Sequence, residues 1–379
     1  MPLNFTLASR NLFHDRLRFV ATMIGIVFSV VLVMVQMGLY LGFGDMVTKM
    51  IDHADADLWV MRNGTKCFED PSLIDARKQG AYQAIAGVAS AEPLVIGFSD
   101  WHMADGAITP VFIVGSNVTG KGPGLKPWNL VDGSLQTLSQ EDAVAVDKTY
   151  YERLGVTGLG SKAEIRGQPV KVTALTDGIR SFTTTPYVFV DMSRARTYVG
   201  IPKTYANYFL IKLKPDADAA AVAAAIEKQS PSYEVLTTAE FRERSRSFWL
   251  FGTGAGAALF AGALLGVIVG TVIVAQTLYS STKDHIDEFA TLRAMGSSNR
   301  YIYTVIMYQA FLNAVIGFCF AALIGMVVVY FTRSGALPVV ITPWLMGAIF
   351  LLTLAMCIAS AFAAILKVVR IDPVVVFSR

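Results

Sequence analysis

Four long stretches of the chain contain no Asp, Glu, Lys or Arg at all: 19–44, 247–282, 301–332 and 334–366. A helix needs roughly 20 predominantly apolar residues to cross the hydrocarbon core of a bilayer, and each stretch exceeds that. The pattern predicts four transmembrane helices, over 19–44, 247–282, 301–332 and 339–366. The first follows Arg10, Arg16 and Arg18, as the core of a secretory signal would. Its apolar run is much longer than a signal core of about 7–15 residues, and no small-x-small site closes it, so it is expected to remain as an anchor.

Between the first two spans lie residues 45–246, where the period shortens and polar residues return. Ala56 to Met61, Leu94 to Ile96, Val111 to Val114, Ala143 to Val146, Val170 to Leu175, Tyr187 to Val190 and Tyr208 to Leu213 are strand-like runs. Ala81 to Ile85, Thr149 to Leu154 and the alanine-rich Ala217 to Lys228 suggest helices, the first two ended by Gly87 and Gly155. The cluster Gly120-Lys121-Gly122-Pro123-Gly124 marks a loop. The insertion is therefore a mixed α/β domain. The other connections are short: 283–300 and 333–338, with a tail over 367–379.

As one helix, the second stretch would reach about 54 Å at 1.5 Å per residue, against a hydrocarbon core of about 30 Å. The surplus is expected to project as a stalk toward the insertion, where Glu240 to Arg246 continues a charged, helical stretch; simple tilt is the alternative. The same stretch is patterned with glycine at Gly252 and Gly256, then at Gly262, Gly266 and Gly270. Small residues at every fourth position let helix backbones approach closely in lipid. They suit packing against another span of this chain or against a second copy. Four spans make a small bundle for a translocation path, which favours the second copy.

Composition sharpens the picture. Hydrophobic residues make up 54 % and charged residues 16 %, against roughly 25 % charged in soluble domains, and mean hydropathy is +0.49. That excludes a disordered chain and a nucleic-acid binder with a basic surface. The insertion carries 22 Lys/Arg against 24 Asp/Glu, an ordinary near-neutral surface. Orientation follows from the short segments: Arg10, Arg16 and Arg18, then Lys283, Arg293 and Arg300, then Lys367, Arg370 and Arg379 stand against Arg333 alone. Basic residues stay in the cytoplasm, so both termini (1–18 and 367–379) and the 283–300 loop are expected inside and the insertion outside. The three cysteines exclude a disulfide scaffold, and Cys67 has no partner cysteine on its own side.

Several chemistries are missing. Within the spans the polar residues are neutral, among them Gln36, Gln276, Gln309 and Asn313, which argues against an ion-coupled carrier or channel. No G-x-x-x-x-G-K-[ST], G-x-S-x-G, H-E-x-x-H or C-x-x-C occurs in the 379 residues. The chain is expected to be non-catalytic, with no cofactor or metal of its own. The run Asp52-His53-Ala54-Asp55-Ala56-Asp57 is a conceivable ligand set, but a solvated acidic helix end explains it equally well.

The most distinctive stretch is Asp284 to Gly296, DHIDEFATLRAMG, followed by Ser297-Ser298-Asn299-Arg300. Ile286, Phe289 and Leu292 to Ala294 fall at spacings of three and four, predicting a short amphipathic helix ended by Gly296. Its apolar face belongs on headgroups or in another protein's groove.

The run Glu288 to Gly296 resembles the signature of FtsX/MacB-type permeases, and the layout of four spans with a large domain after the first resembles the same superfamily. The stretch Leu17 to Phe28, continuing to Gln36-Met37-Gly38, is more narrowly similar to the DevC-like exporter permeases, as are Gly87-Val88, Tyr150 to Gly155 and the late strand with its alanine-rich helix. The resemblance implies a type VII ABC transporter permease: four transmembrane helices and an extracytoplasmic α/β domain of the MacB periplasmic-core type. It also implies a bacterial inner-membrane location and a second copy of the chain. A separate ATPase subunit would bind the ATP and magnesium. In the DevC-like branch a membrane-fusion adaptor and an outer-membrane channel complete an exporter. Carried over residue by residue, Glu288, Phe289, Leu292, Arg293 and Gly296 become the ATPase-contacting set. Leu7 to Arg18 becomes a helix on the inner membrane surface, with Leu12, Phe13 and Leu17 on its buried side. The cargo implied is lipid-like or otherwise hydrophobic; a non-transporting transmitter that regulates an envelope enzyme is the alternative.

Overall fold

The computed structural model describes residues 16–120, 122–284, 299–332 and 338–369. The chain divides into two compact units, one of Met1–Gly42 with Gly256–Arg379 and one of Phe43–Ala255. The elements are, in order, α1 (Arg16–Met46), β1 (Leu58–Arg62), β2 (Ile74–Asp75), β3 (Val88–His102), β4 (Ile108–Ser116), β5 (Leu130–Gly133), β6 (Ala143–Asp147), β7 (Lys162–Ile165), β8 (Gln168–Thr176) and β9 (Tyr187–Asp191). Then follow α2 (Met192–Val199), β10 (Tyr205–Ala206), β11 (Tyr208–Leu213), α3 (Ala219–Gln229), β12 (Tyr233–Thr237), α4 (Thr238–Ser247), α5 (Ala255–Asp284), α6 (Asn299–Thr332) and α7 (Pro343–Val369).

The Phe43–Ala255 unit is built on a sheet with strand order β12-β1-β11-β3-β4-β9-β6-β8-β5. Its central strands carry unbroken apolar runs, such as Leu58 to Met61 and Tyr208 to Ile211, because both faces are covered there. In β1, Leu58 and Val60 enter one core while Trp59 and Met61 enter the other; in β11, Phe209 and Ile211 oppose Tyr208 and Leu210 in the same way. Strand β3 is 15 residues long and serves two partners. Its first half pairs with β11 and its second half with β4. Strand β7 bridges the far end of β3 to β8, so that β3, β4, β9, β6, β8 and β7 close a circuit. The parallel pairs β4–β9 and β6–β8 need crossovers, and α2 lies against β3 and β4. Helix α2 starts where the Asp191 side chain accepts from Ser193 N and stops at Gly200, whose φ of 80° suits a residue without a β-carbon.

Four described helices are long and apolar enough to cross a membrane: Phe19–Met46, Ala255–Thr277, Tyr303–Thr332 and Pro343–Ala363. Helix α1 is the hub of their bundle. Gly25, Ser29, Val33 and Gln36 of α1 meet Ile273, Gly270, Gly266 and Gly262 of α5 in descending order, so the two helices run antiparallel. Against α6 the order ascends, Ile26 to Gly317 and Met34 to Gly325, so that pair is parallel. The C-terminal half of α1 also holds the approach to α7, where Val340 N donates to Gly38 O at 3.0 Å.

One expectation from sequence fails. The second charge-free stretch does not form a continuous helix over 247–282. Helix α4 passes into a π-helical turn at Phe248–Gly252, and the chain then breaks at Gly254 with φ of 76° before α5 begins at Ala255. That φ lies in the left-handed region, which a right-handed helix cannot accommodate. The apolar surplus is a turn, not a stalk.

Candidate coupling, packing and junction sites

Glu288, Phe289, Leu292, Arg293 and Gly296 lie outside the described residues, as do Leu12 and Phe13. Fourteen residues, 285–298, separate the described ends of α5 and α6. Leu17 falls in the first turn of α1 and is 87 % exposed.

The glycine positions divide. A β-carbon on Gly262 would stand 2.8 Å from the Gln36 amide, on Gly266 3.0 Å from Val33, and on Gly270 2.6 Å from Ser29 and within reach of the Met356 methyl of α7. These three face α1 within the chain, the first of the two packings that their spacing allows. Gly252 belongs to the π-helical turn and lies against Phe248, and Gly256, in the first turn of α5, is buried. What α5 leaves exposed is bulky: Phe260, Leu264, Leu265, Ile268 and Val272. An all-apolar groove of about 700 Å³ runs along α1 from Phe19 to Val35, with Phe320 and Ile324 of α6 on its other wall.

The acidic run after α1 is taken up in ion pairs. Asp52 pairs with Arg242 of α4, and Asp55 and Asp57 receive the Lys212 ammonium at 2.7 and 3.4 Å. His53 stacks on Trp128 at 3.8 Å. Among the described residues no three His, Cys, Asp or Glu side chains converge on one point.

The α4 region was legible only as a charged helical stretch, and the structure makes it a clamp. Thr237 and Glu240 form a reciprocal capping box at its start. Arg244 pairs with Glu234 at 2.8 Å and donates to Thr65 O at 3.3 Å. The loop after β1 is pinned alongside: Tyr208 Oη donates to the Phe68 carbonyl at 3.0 Å, and Ser245 Oγ accepts from Phe68 N at 3.4 Å. Beyond α4, Trp249 of the π-helical turn donates its indole N–H to Glu69 Oε2 at 3.0 Å. Its ring packs edge-on against Phe182 at 4.5 Å, and Phe182 packs against Phe43 at 5.4 Å, with Met46 and Val47 completing the cluster. Burial pushes the Glu69 carboxyl up to about 7, the indole hydrogen bond opposing without prevailing. Burial, reinforced by the Glu69 charge, pushes the neighbouring Cys67 thiol up to about 12, so it stays an inert thiol.

Four helices long and apolar enough to span a membrane, carrying a large, two-cored α/β insertion after the first, with no Asp, Glu, Lys, Arg or His among the buried residues of the described bundle, define a polytopic membrane protein. Residues 19–229 match the family of the MacB-like periplasmic core domain, and residues 258–373 match the FtsX-like permease C-terminal family. The chain belongs to the FtsX/MacB-type permeases, whose members are generally non-catalytic membrane subunits working with an ABC ATPase. Among solved structures it is similar to the periplasmic region of MacB from Actinobacillus actinomycetemcomitans, at 7 % identity and a TM-score of 0.38 over 52 % of this chain and 96 % of that one. It is also similar to the extracellular domain of the noncanonic ABC-type transporter YknZ from Gram-positive bacteria, at 14 % identity and 0.35 over 48 % and 98 %. A domain of a putative permease from Porphyromonas gingivalis matches at 12 % identity and 0.35 over 49 % and 91 %. No curated protein matches the chain.

Proposed function

We propose that this chain is the permease subunit of a DevC-like ABC exporter of the bacterial inner membrane, with both termini cytoplasmic and a lipid-like or otherwise hydrophobic envelope substrate. The observation that carries the reading is the pair of family matches, which together span residues 19–229 and 258–373. The sequence holds no phosphate-loop motif, and its four charge-free stretches offer no carboxylate, amine, guanidinium or imidazole for ion coupling. Work must therefore reach it from a separate ATPase subunit that binds ATP and magnesium, and the chain transmits motion to its α/β domain. A second copy completes the membrane unit. An adaptor and an outer-membrane channel extend the route across the envelope. The apolar groove along α1, free of polar lining, supports an apolar cargo.

In this reading Glu288, Phe289, Leu292, Arg293 and Gly296 sit on the ATPase. Phe289 fills an apolar cleft, Arg293 pairs with a carboxylate, and Gly296 ends the helix. Leu12, Phe13 and Leu17 rest on the inner leaflet. In the assembled complex, Phe289→Asp is expected to abolish export and to uncouple it from ATP hydrolysis, measured as cargo release beside phosphate release. Unchanged export by that variant contradicts the assignment.

A further inference from the structure

One recess of the Phe43–Ala255 unit is built from three segments. They are the turn Gly64-Thr65-Lys66 after β1, Glu234 of β12, and the face of α4 and its π-helical turn that carries Arg244, Ser247, Phe248 and Phe251. Positions 244, 247, 248 and 251 follow one another at helical spacings, which brings a cation, a hydroxyl and two aromatic rings to a single face. Gly252, on the rim, stands three residues before Ala255, where the second membrane-crossing helix begins. The recess holds about 770 Å³ and opens past Gly64, whose β-carbon would meet nothing within 4 Å.

Arg244 is fixed at one nitrogen and open at the others. Its Nη1 meets Glu234 Oε1 at 2.8 Å and donates to Thr65 O at 3.3 Å, while Nε and Nη2 have no partner among the described residues. Glu234 Oε1 also accepts from Gly64 N at 3.1 Å, so that carboxylate is committed to holding the frame. Glu240, one turn back on α4, is bound to Thr237 in the capping box. Lys66 is exposed and makes no ion pair among the described residues. The lining therefore keeps one positive charge in excess, Lys66 and Arg244 against Glu234. A guanidinium with Nε and Nη2 both open presents a fork that matches two oxygens of one phosphate.

The rest of the recess is apolar. Phe251 is 69 % exposed and Phe248 is half-buried. Aromatic rings and basic side chains at the end of a spanning helix sit at the level of lipid headgroups. A small inorganic anion would use the guanidinium and the ammonium and leave both rings in water; a phospholipid uses all four.

We propose that this recess binds the headgroup of one anionic phospholipid. The phosphate lies on Arg244 Nε and Nη2 and on the Lys66 ammonium, and Phe248 and Phe251 lie against the glycerol and the first acyl carbons. A zwitterionic lipid brings its own cation toward Lys66 and binds more weakly. A lipid seated there ties the turn between α4 and α5 to the bilayer surface. The site shares no residue with the apolar groove along α1, and it depends on neither the ATPase nor the cargo.

The test is amine acetylation of the full chain in nanodiscs, read by peptide mass spectrometry at Lys66 and at Lys49, three residues after α1. Replacing part of the phosphatidylcholine by phosphatidylglycerol is expected to slow labelling of Lys66 about fivefold, with little change at Lys49. The protection is expected to be lost in Arg244→Gln and in Phe251→Asp. The second variant changes an exposed position, so it decides should the first not fold. Glycerol phosphate added to phosphatidylcholine discs is expected to leave Lys66 labelled. Equal slowing at Lys66 and Lys49, no slowing at Lys66, protection by glycerol phosphate alone, or protection that survives Phe251→Asp overturns the proposal.

Discussion

Gly270 shows how little space a single position can leave. Ser29 of α1 stands 2.6 Å from where its β-carbon would be, and the Met356 methyl lies on the same point. Gly347 of α7 is a natural control, with nothing within 4 Å. Gly270→Val is expected to cost about 1–3 kcal/mol, the range for overpacking a filled interior, whereas Gly347→Ala is expected to be neutral. Thermal unfolding of the two variants in the same detergent checks both; equal midpoints contradict the in-chain role of the stripe. The spacing of Gly262, Gly266 and Gly270 was legible in the sequence, since period four is a property of the chain. Which helix they face was not, because that depends on the register of Ser29, Val33 and Gln36 more than two hundred residues away. Glu69 was equally hidden: no local pattern marks a carboxylate that will accept from the Trp249 indole, 180 positions later.

At the scale of elements, legibility tracked burial. The strands at β1, β4, β6, β8, β9 and β11 announce themselves as apolar runs because they are covered on both sides. Strand β5 has three exposed residues out of four, and β7 alternates lysine and glutamate with apolar residues over a single turn of sheet, so neither carries enough hydrophobic signal. Helix α2 (MSRARTYV) is mostly polar, yet Asp191 before it and Gly200 after it were start and stop signals that sequence reasoning passed over. The break ahead of α5 has a similar origin. Hydropathy is continuous through Phe251-Gly252-Thr253-Gly254, and only the paired glycines hint that the backbone turns there. Helix α4 depends on its capping box, so Thr237→Ala is expected to cost about 1 kcal/mol locally. Amide exchange across Thr238–Ser247 should accelerate by roughly fivefold if opening is local; unchanged protection contradicts this role for the cap.

For the whole molecule, the source of energy is what matters. The spans carry no Asp, Glu, Lys, Arg or His, and the family generally works with an ABC ATPase. Composition and span layout disclosed the four-helix class and the α/β insertion, because hydropathy and charge are summed over long segments and survive local uncertainty. The coupling residues Phe289 and Arg293 lie outside the described residues, so their role rests on the Glu288 to Gly296 motif. The most direct measurement is purification of the full chain from its native membranes in mild detergent, with the bound subunits identified by mass spectrometry. The account predicts an ABC ATPase in stoichiometric yield, lost from the Phe289→Asp variant; a chain that emerges with no ATPase bound contradicts it.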